Sequence, residues 1–164
     1  MQLRCCTPQL GVPMDLCDDI EKVDEPALAQ IIQYWYSIRR GALPSPCAVD
    51  PLDLKPHLGR LSIVETAPQL EGFRFRLFGV HLASEFQQER TGLCFGELRE
   101  IEHWETVFGP YQYVRDAARI HYQPRRTVSG LRSHRGYARV LLPLSSDGAK
   151  VDRILAAFEF VSLP

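Results

Sequence analysis

Three observations on the 164-residue chain predict an α+β fold: a helical period near the N-terminus, alternating apolar runs gathered into two hairpins, and helical segments between those hairpins. Both hairpins can join one antiparallel sheet, with the intervening helices lying across its face. At 45% hydrophobic residues, the chain carries enough apolar material for one substantial core.

Residues 1 to 23 contain Pro8, Gly11 and Pro13 and sustain no period. They read as a poorly ordered leader, which leaves residues 24 to 163 as a single domain. From Glu25 onward, Leu28, Ile31, Ile32, Trp35 and Ile38 fall on one face of a helix. Pro26 suits its first turn, Arg39 and Arg40 suit its C-terminal dipole, and Gly41 suits the position just beyond. Pro44, Pro46, Pro51 and Pro56 then make Ala42 to His57 a surface connector.

Arg60 to Thr66 and Gly72 to Gly79 form the first hairpin, with Phe73, Phe75 and Leu77 facing inward and Arg74 and Arg76 outward. His81 to Gln88 reads as a short helix. Trp104, Val107, Phe108, Tyr111, Val114 and Ala118 recur at helical spacing, and Gly109-Pro110 predicts a kink or a fresh helix start. After Pro124, Arg125 to Ser133 reads as a strand.

The final hairpin spans Gly136 to Val161. Ala138, Val140, Leu142 and Leu144 share one face of its first strand, and Ile154, Ala156, Phe158 and Phe160 one face of its second. A two-residue Asp147-Gly148 turn would set Leu142 opposite Arg153. Parity therefore favours a three-residue loop, Ser146 to Gly148, pairing Val140 with Ile154 and Ala138 with Ala156. The other face keeps Leu141, Leu155 and Ala157 and needs a partial cover. The helix from Glu25 to Arg40 is expected there, over the outer face or against another subunit.

Net charge is −1, so nothing global selects nucleic acid. The local distribution is uneven: six acids and one lysine lie between Asp15 and Glu25, and six arginines with no acid between Ala117 and Ser146. Arg125, Arg126 and Arg132 are the candidates within that stretch for docking an acidic partner. Five cysteines form no C-x-x-C pair, and five histidines show no i, i+4 pairing, so no metal site is predicted. No apolar run approaches membrane length and no signal leader is evident, which predicts a cytoplasmic protein without membrane association. Phosphate-loop, dinucleotide, zinc-protease and nucleophile-elbow motifs are all absent. Glu97, Glu100, Glu102 and Glu105 gather at a helix start, where the dipole alone explains them.

Several pieces in order resemble a family of short stand-alone bacterial PAS domains across about residues 25 to 160. They are Tyr34-Trp35, Arg39-Arg40-Gly41 with Pro44, Asp50-Pro51, the run from Phe73 to Gly79, Thr91-Gly92, and the run from Leu141 to Ser145. The resemblance implies a PAS-like five-stranded antiparallel sheet in the order 2-1-5-4-3, helices across one face, and a cavity of small-molecule size between them. It implies a non-catalytic sensory or protein-interaction module whose signal leaves by contact with another protein. The partners expected are an unidentified signalling protein and a second copy, a homodimer through the N-terminal helix.

Such a cavity would be lined by Phe75 and Leu77 from the first hairpin and by Val140, Leu142, Ala156 and Phe158 from the last. The helices would add His81, Phe86, Trp104, Phe108 and Tyr111, with His81, Trp104 and Tyr111 as polar anchors. His81 and His103 are the positions from which a haem could be ligated, and the identity of any cofactor is left open. A small cone-shaped enzyme of the ketosteroid-isomerase kind is the alternative. Its element order differs, and no aspartate falls on the predicted inner faces.

Overall fold

The computed structural model describes residues 12–14, 22–67 and 72–162, and the structural statements below concern these. Six strands form one antiparallel sheet: β1 (Val12–Met14), β2 (Leu61–Ala67), β3 (Gly72–Phe78), β4 (Ile120–Thr127), β5 (Gly136–Leu144) and β6 (Arg153–Val161). Their spatial order is β1-β4-β5-β6-β2-β3. Setting β1 aside, the other five run 2-1-5-4-3 when counted along the chain, as the resemblance implied. β1 comes from the leader, to which the sequence reading assigned no element, and pairs with Ile120 to Tyr122 at one edge. The leader's other residues up to position 21, and residues 68–71, lie outside the described residues.

Three helices accompany the sheet: α1 (Pro26–Ile38), α2 (Val80–Glu85) and α3 (Trp104–Ala117). α1 stops two residues earlier than predicted, because Arg39 turns extended and lays its guanidinium over the Trp35 and Tyr36 rings. α3 runs through Pro110 as one helix instead of restarting there. In the turn that this proline loosens, Arg139 on the sheet donates from Nη1 to the Val107 carbonyl at 2.7 Å.

The sheet is covered on both faces. Tyr122, paired with Val140, donates its hydroxyl to Glu25 at the start of α1. Arg139, one residue along β5, points the other way to Val107 and the Tyr111 ring of α3. Hence α1 lies on one side, against β5 and β6, and α3 on the other. The four buried residues of α1, Leu28, Ile31, Ile32 and Trp35, are spent on its own sheet, with Trp35 Nε1 donating to the Pro143 carbonyl at 2.8 Å.

This double cover overturns the predicted hairpin register. Val140 lies opposite Ala157 and Leu142 opposite Leu155, not Val140 opposite Ile154. The loop is correspondingly longer, residues 145–152. In it the Asp147 carboxylate accepts the Ala149 and Lys150 amides and the Ser145 hydroxyl, while Gly148 takes φ +79°. The parity argument assumed one wet face, yet all nine residues of β5 are buried, so no polar face forbids the odd register. Tyr137, Arg139 and Leu141 therefore share the α3 side with Ala156, Phe158 and Phe160. Ala138, Val140, Leu142 and Leu144 face α1.

Two further differences arise from bulges. Between β2 and β3 the register slips, Ile63 facing Leu77 but Val64 facing Phe75, so Leu77 turns to the α1 side and Phe78 takes the inward place. β4 begins at Ile120, not after Pro124; the proline, having no N–H to give, sits in the register shift between Gln123 and Arg126.

Candidate functional site

On the α3 side the structure gathers Phe75, Phe86, Phe108, Tyr111, Ala156 and Phe158 of the predicted pocket. Their rings pack against one another. Phe75, Phe95 and Phe108 meet at centroid distances of 4.5–6.5 Å, and Phe86, Tyr137 and Phe158 at 5.3–6.0 Å. A hollow of about 80 Å³ lies beside Phe73, Trp104 and Gln112. Leu77, Val140 and Leu142 are corrected to the opposite face, for the reasons of register given above.

The expected polar anchors are also disposed differently. His81 is exposed, with its ring against Gly59 outside the domain's centre. Trp104 spends its Nε1 on the Phe95 carbonyl at 3.0 Å. Tyr111 is fully inside, and burial pushes its phenol up. His103 is exposed beside Glu102. Among the described residues no group of histidines, cysteines and carboxylates could hold a metal ion. The polar members of this interior are instead Arg139, 1% exposed, whose Nη2 donates to Gln123, together with Ser62 and Arg90. Arg90 lies on the Phe78 and Phe86 rings, and burial pushes its pKa down.

Two of the three arginines expected to dock a partner are bonded within the domain. Arg125 Nε donates to Glu25 Oε1 at 2.8 Å, and that carboxylate is 1% exposed, so Arg125 has a structural partner. Arg132 belongs to a clasp on α2, its Nη1 on Ser84 Oγ and its amide on the Glu85 carbonyl. In the same clasp the Ser133 amide and His134 meet the Glu85 carboxylate. Burial pushes the Glu85 carboxyl up, but these two partners outweigh it and hold the group below its usual range. Arg126 is half-buried in β4 beside the bulge.

The feature that the sequence reading missed lies on the α1 side, between the connector and the β2–β3 ribbon. There a cleft of about 390 Å³ has Leu61, Ile63, Leu77 and Leu155 as its floor. Val49, Leu54, Leu58 and Val80 wall it. Leu58 is 41% exposed, Leu77 44% and Val80 71%, and Leu52 of the connector is 78% exposed. Gly79 lets the connector close one end: a side chain there would collide with the Gly59 carbonyl, while its amide donates to Leu61 at 2.9 Å. The available signal was the apolar residues Val49, Leu52 and Leu54 inside a connector that its prolines mark as surface, with Leu58 just beyond it. A wider hollow of about 630 Å³ at the sheet's end is lined by Lys150 and by Arg115 and Asp116, which pair with each other at 2.8 Å.

No curated protein and no solved structure matches this chain. The PAS domain family does match it, over residues 23–159, a span that holds α1 and all but the last two residues of the five-stranded core. The strand order, the helices over the α3 side and this match agree, and the chain belongs to the PAS domain family.

Proposed function

We propose that this PAS domain is a protein-interaction module in signalling, and that the α1-side cleft is its docking surface. PAS domains act as sensory or interaction modules and are generally non-catalytic. The carrying observation is the contrast between the two sides of the sheet. Aromatic rings occupy the α3 side, whereas the α1 side keeps a 390 Å³ apolar cleft open, with Leu58, Leu77 and Val80 meeting solvent. Contiguous apolar surface of this kind marks interaction sites. The buried carboxylates among the described residues, Glu25 and Glu85, are taken by Tyr122 and Arg125 and by Ser133 and His134, so neither is poised as an isomerase-type base.

The test is site-specific photocrosslinking in cells. A photoreactive residue at Leu58 or Val80 should give one discrete protein adduct that disappears when Leu77→Asp is added. The same residue at exposed His103, at the start of α3, should give none. An adduct from His103, or one insensitive to Leu77→Asp, moves the docking surface elsewhere. An adduct with a second copy identifies self-association as the use of the cleft.

A second reading has its own observation. Arg139 Nε and Gln123 Nε2 are buried on the α3 side without hydrogen-bond partners. A small anion admitted among the rings would satisfy these atoms and make the domain a sensor. Native mass spectrometry separates the readings: the interaction reading expects the bare 18.7 kDa chain, and a retained small anion establishes the sensory one.

A further inference from the structure

We infer that the cleft accepts an amphipathic helix of a partner protein, apolar along one face and acidic at the end lying over Arg76 and Arg153. The inference rests on the interaction reading and names the partner's chemistry. Beyond Ile63 and Leu77 the cleft continues into a second hollow of about 490 Å³, bounded by Pro46, Leu144, Arg76 and Arg153. The combined groove follows β2 from Leu61 to Glu65, about 13 Å at the rise of a strand, the length of two to three helical turns.

Charge distinguishes the groove's ends. At the far end the Glu65 carboxylate contacts Arg74 and Arg76, and Arg153 is its cross-strand neighbour, so guanidinium outnumbers carboxylate there. Arg60, at the near end, is already neutralised by Glu159 at 2.7 Å. An acidic terminus over Arg76 and Arg153 complements this asymmetry and fixes the helix direction.

Backbone chemistry excludes an extended strand. The β3 edge is occupied: the Phe75 amide donates to Leu93 at 2.9 Å, the Gly92 amide to Phe75 at 2.7 Å, and the Phe78 amide to Thr91 Oγ1 at 3.1 Å. A partner must therefore lie on the sheet's face, over an apolar floor that offers its backbone almost nothing to bond. A helix satisfies its own amides and carbonyls, and an extended segment would bury them unpaired.

The experiment is selection of helix-forming peptides of about 15 residues, displayed on phage, against the full chain. Enriched peptides should carry apolar residues at i, i+3 or i+4, and i+7, with acids clustered at one end. Measured by fluorescence anisotropy, their affinity should fall about tenfold for the Arg76→Glu, Arg153→Glu variant and recover when their acids become lysines. Binding should be lost in Leu77→Asp and in Val80→Asp, both at exposed positions, with unchanged melting temperatures. Groove-binding peptides that lack acids, or are indifferent to charge reversal, overturn the acidic-helix assignment but leave the docking surface standing. Peptides that still bind Leu77→Asp overturn the cleft itself, and a selection that enriches nothing overturns the helix assignment.

Discussion

Glu25 joins a helix, a strand and a surface arginine through one carboxylate. Its two oxygens take the Tyr122 hydroxyl at 2.7 Å and Arg125 Nε at 2.8 Å; the carboxylate is buried and the arginine exposed. Glu25→Ala should cost about 1–3 kcal/mol in denaturant unfolding, since a buried phenolic donor is left unpaired. The Tyr122 phenol is raised above its ordinary value of 10 by burial first and then by the Glu25 carboxylate. Its stabilising contribution is therefore whole below pH 10 and drains as pH rises beyond it. Ultraviolet titration should show one tyrosine ionising late, and Glu25→Gln should bring it earlier. Arg125→Glu should lower the melting temperature, whereas Arg126→Glu should leave it nearly unchanged. Arg125 appeared partnerless in the sequence because its acid lies a hundred positions away, beyond any local window.

α1 behaves as a lid over the outer side of the sheet, and Trp35 is its anchor. Trp35→Ala should cost about 3–5 kcal/mol, measured by urea unfolding, through the lost volume and the orphaned Pro143 carbonyl. The 145–152 loop is governed by Asp147, whose carboxyl the Lys150 and Ala149 amides, then the Ser145 hydroxyl, pull down to about 2. Its support is present above the ordinary value of 3.8 and is lost as pH falls toward 2. Hydrogen exchange at the Lys150 amide should accelerate across that window, and Asp147→Ala should remove the pH dependence. At this scale α1 was legible, because Leu28, Ile31, Ile32 and Trp35 repeat with one wet side. The β5–β6 register was not, because a strand buried on both sides carries no alternation. Arg139, in the middle of β5, is inside and bonded to Val107 and Gln123. Leu77 was misplaced because a bulge shifts phase without changing composition.

For the whole molecule, the two sides of the sheet differ: aromatic rings pack the α3 side, and the α1 side keeps an apolar cleft. Ala156, wholly buried on the packed side, gives a direct measure. Ala156→Leu should cost about 1–3 kcal/mol by overpacking, and a neutral or stabilising result would reveal spare room for a ligand. The fold class was legible from the order of elements, and the strand order only through the family resemblance that the spaced motifs carry. The cleft was not, because its floor and walls come from the connector, β2, β3, α2 and β6, which only the finished fold brings together. The borders of the sheet have a further consequence. One is stoppered by β1 and by Pro124, the other by the segment from Thr91 to Cys94. Among the described residues, an intact domain thus gives an incoming chain only a short template to lengthen the ribbon. Crowded at high concentration, these molecules should form complexes that saturate at a fixed stoichiometry, and thioflavin-positive fibres should appear only after unfolding.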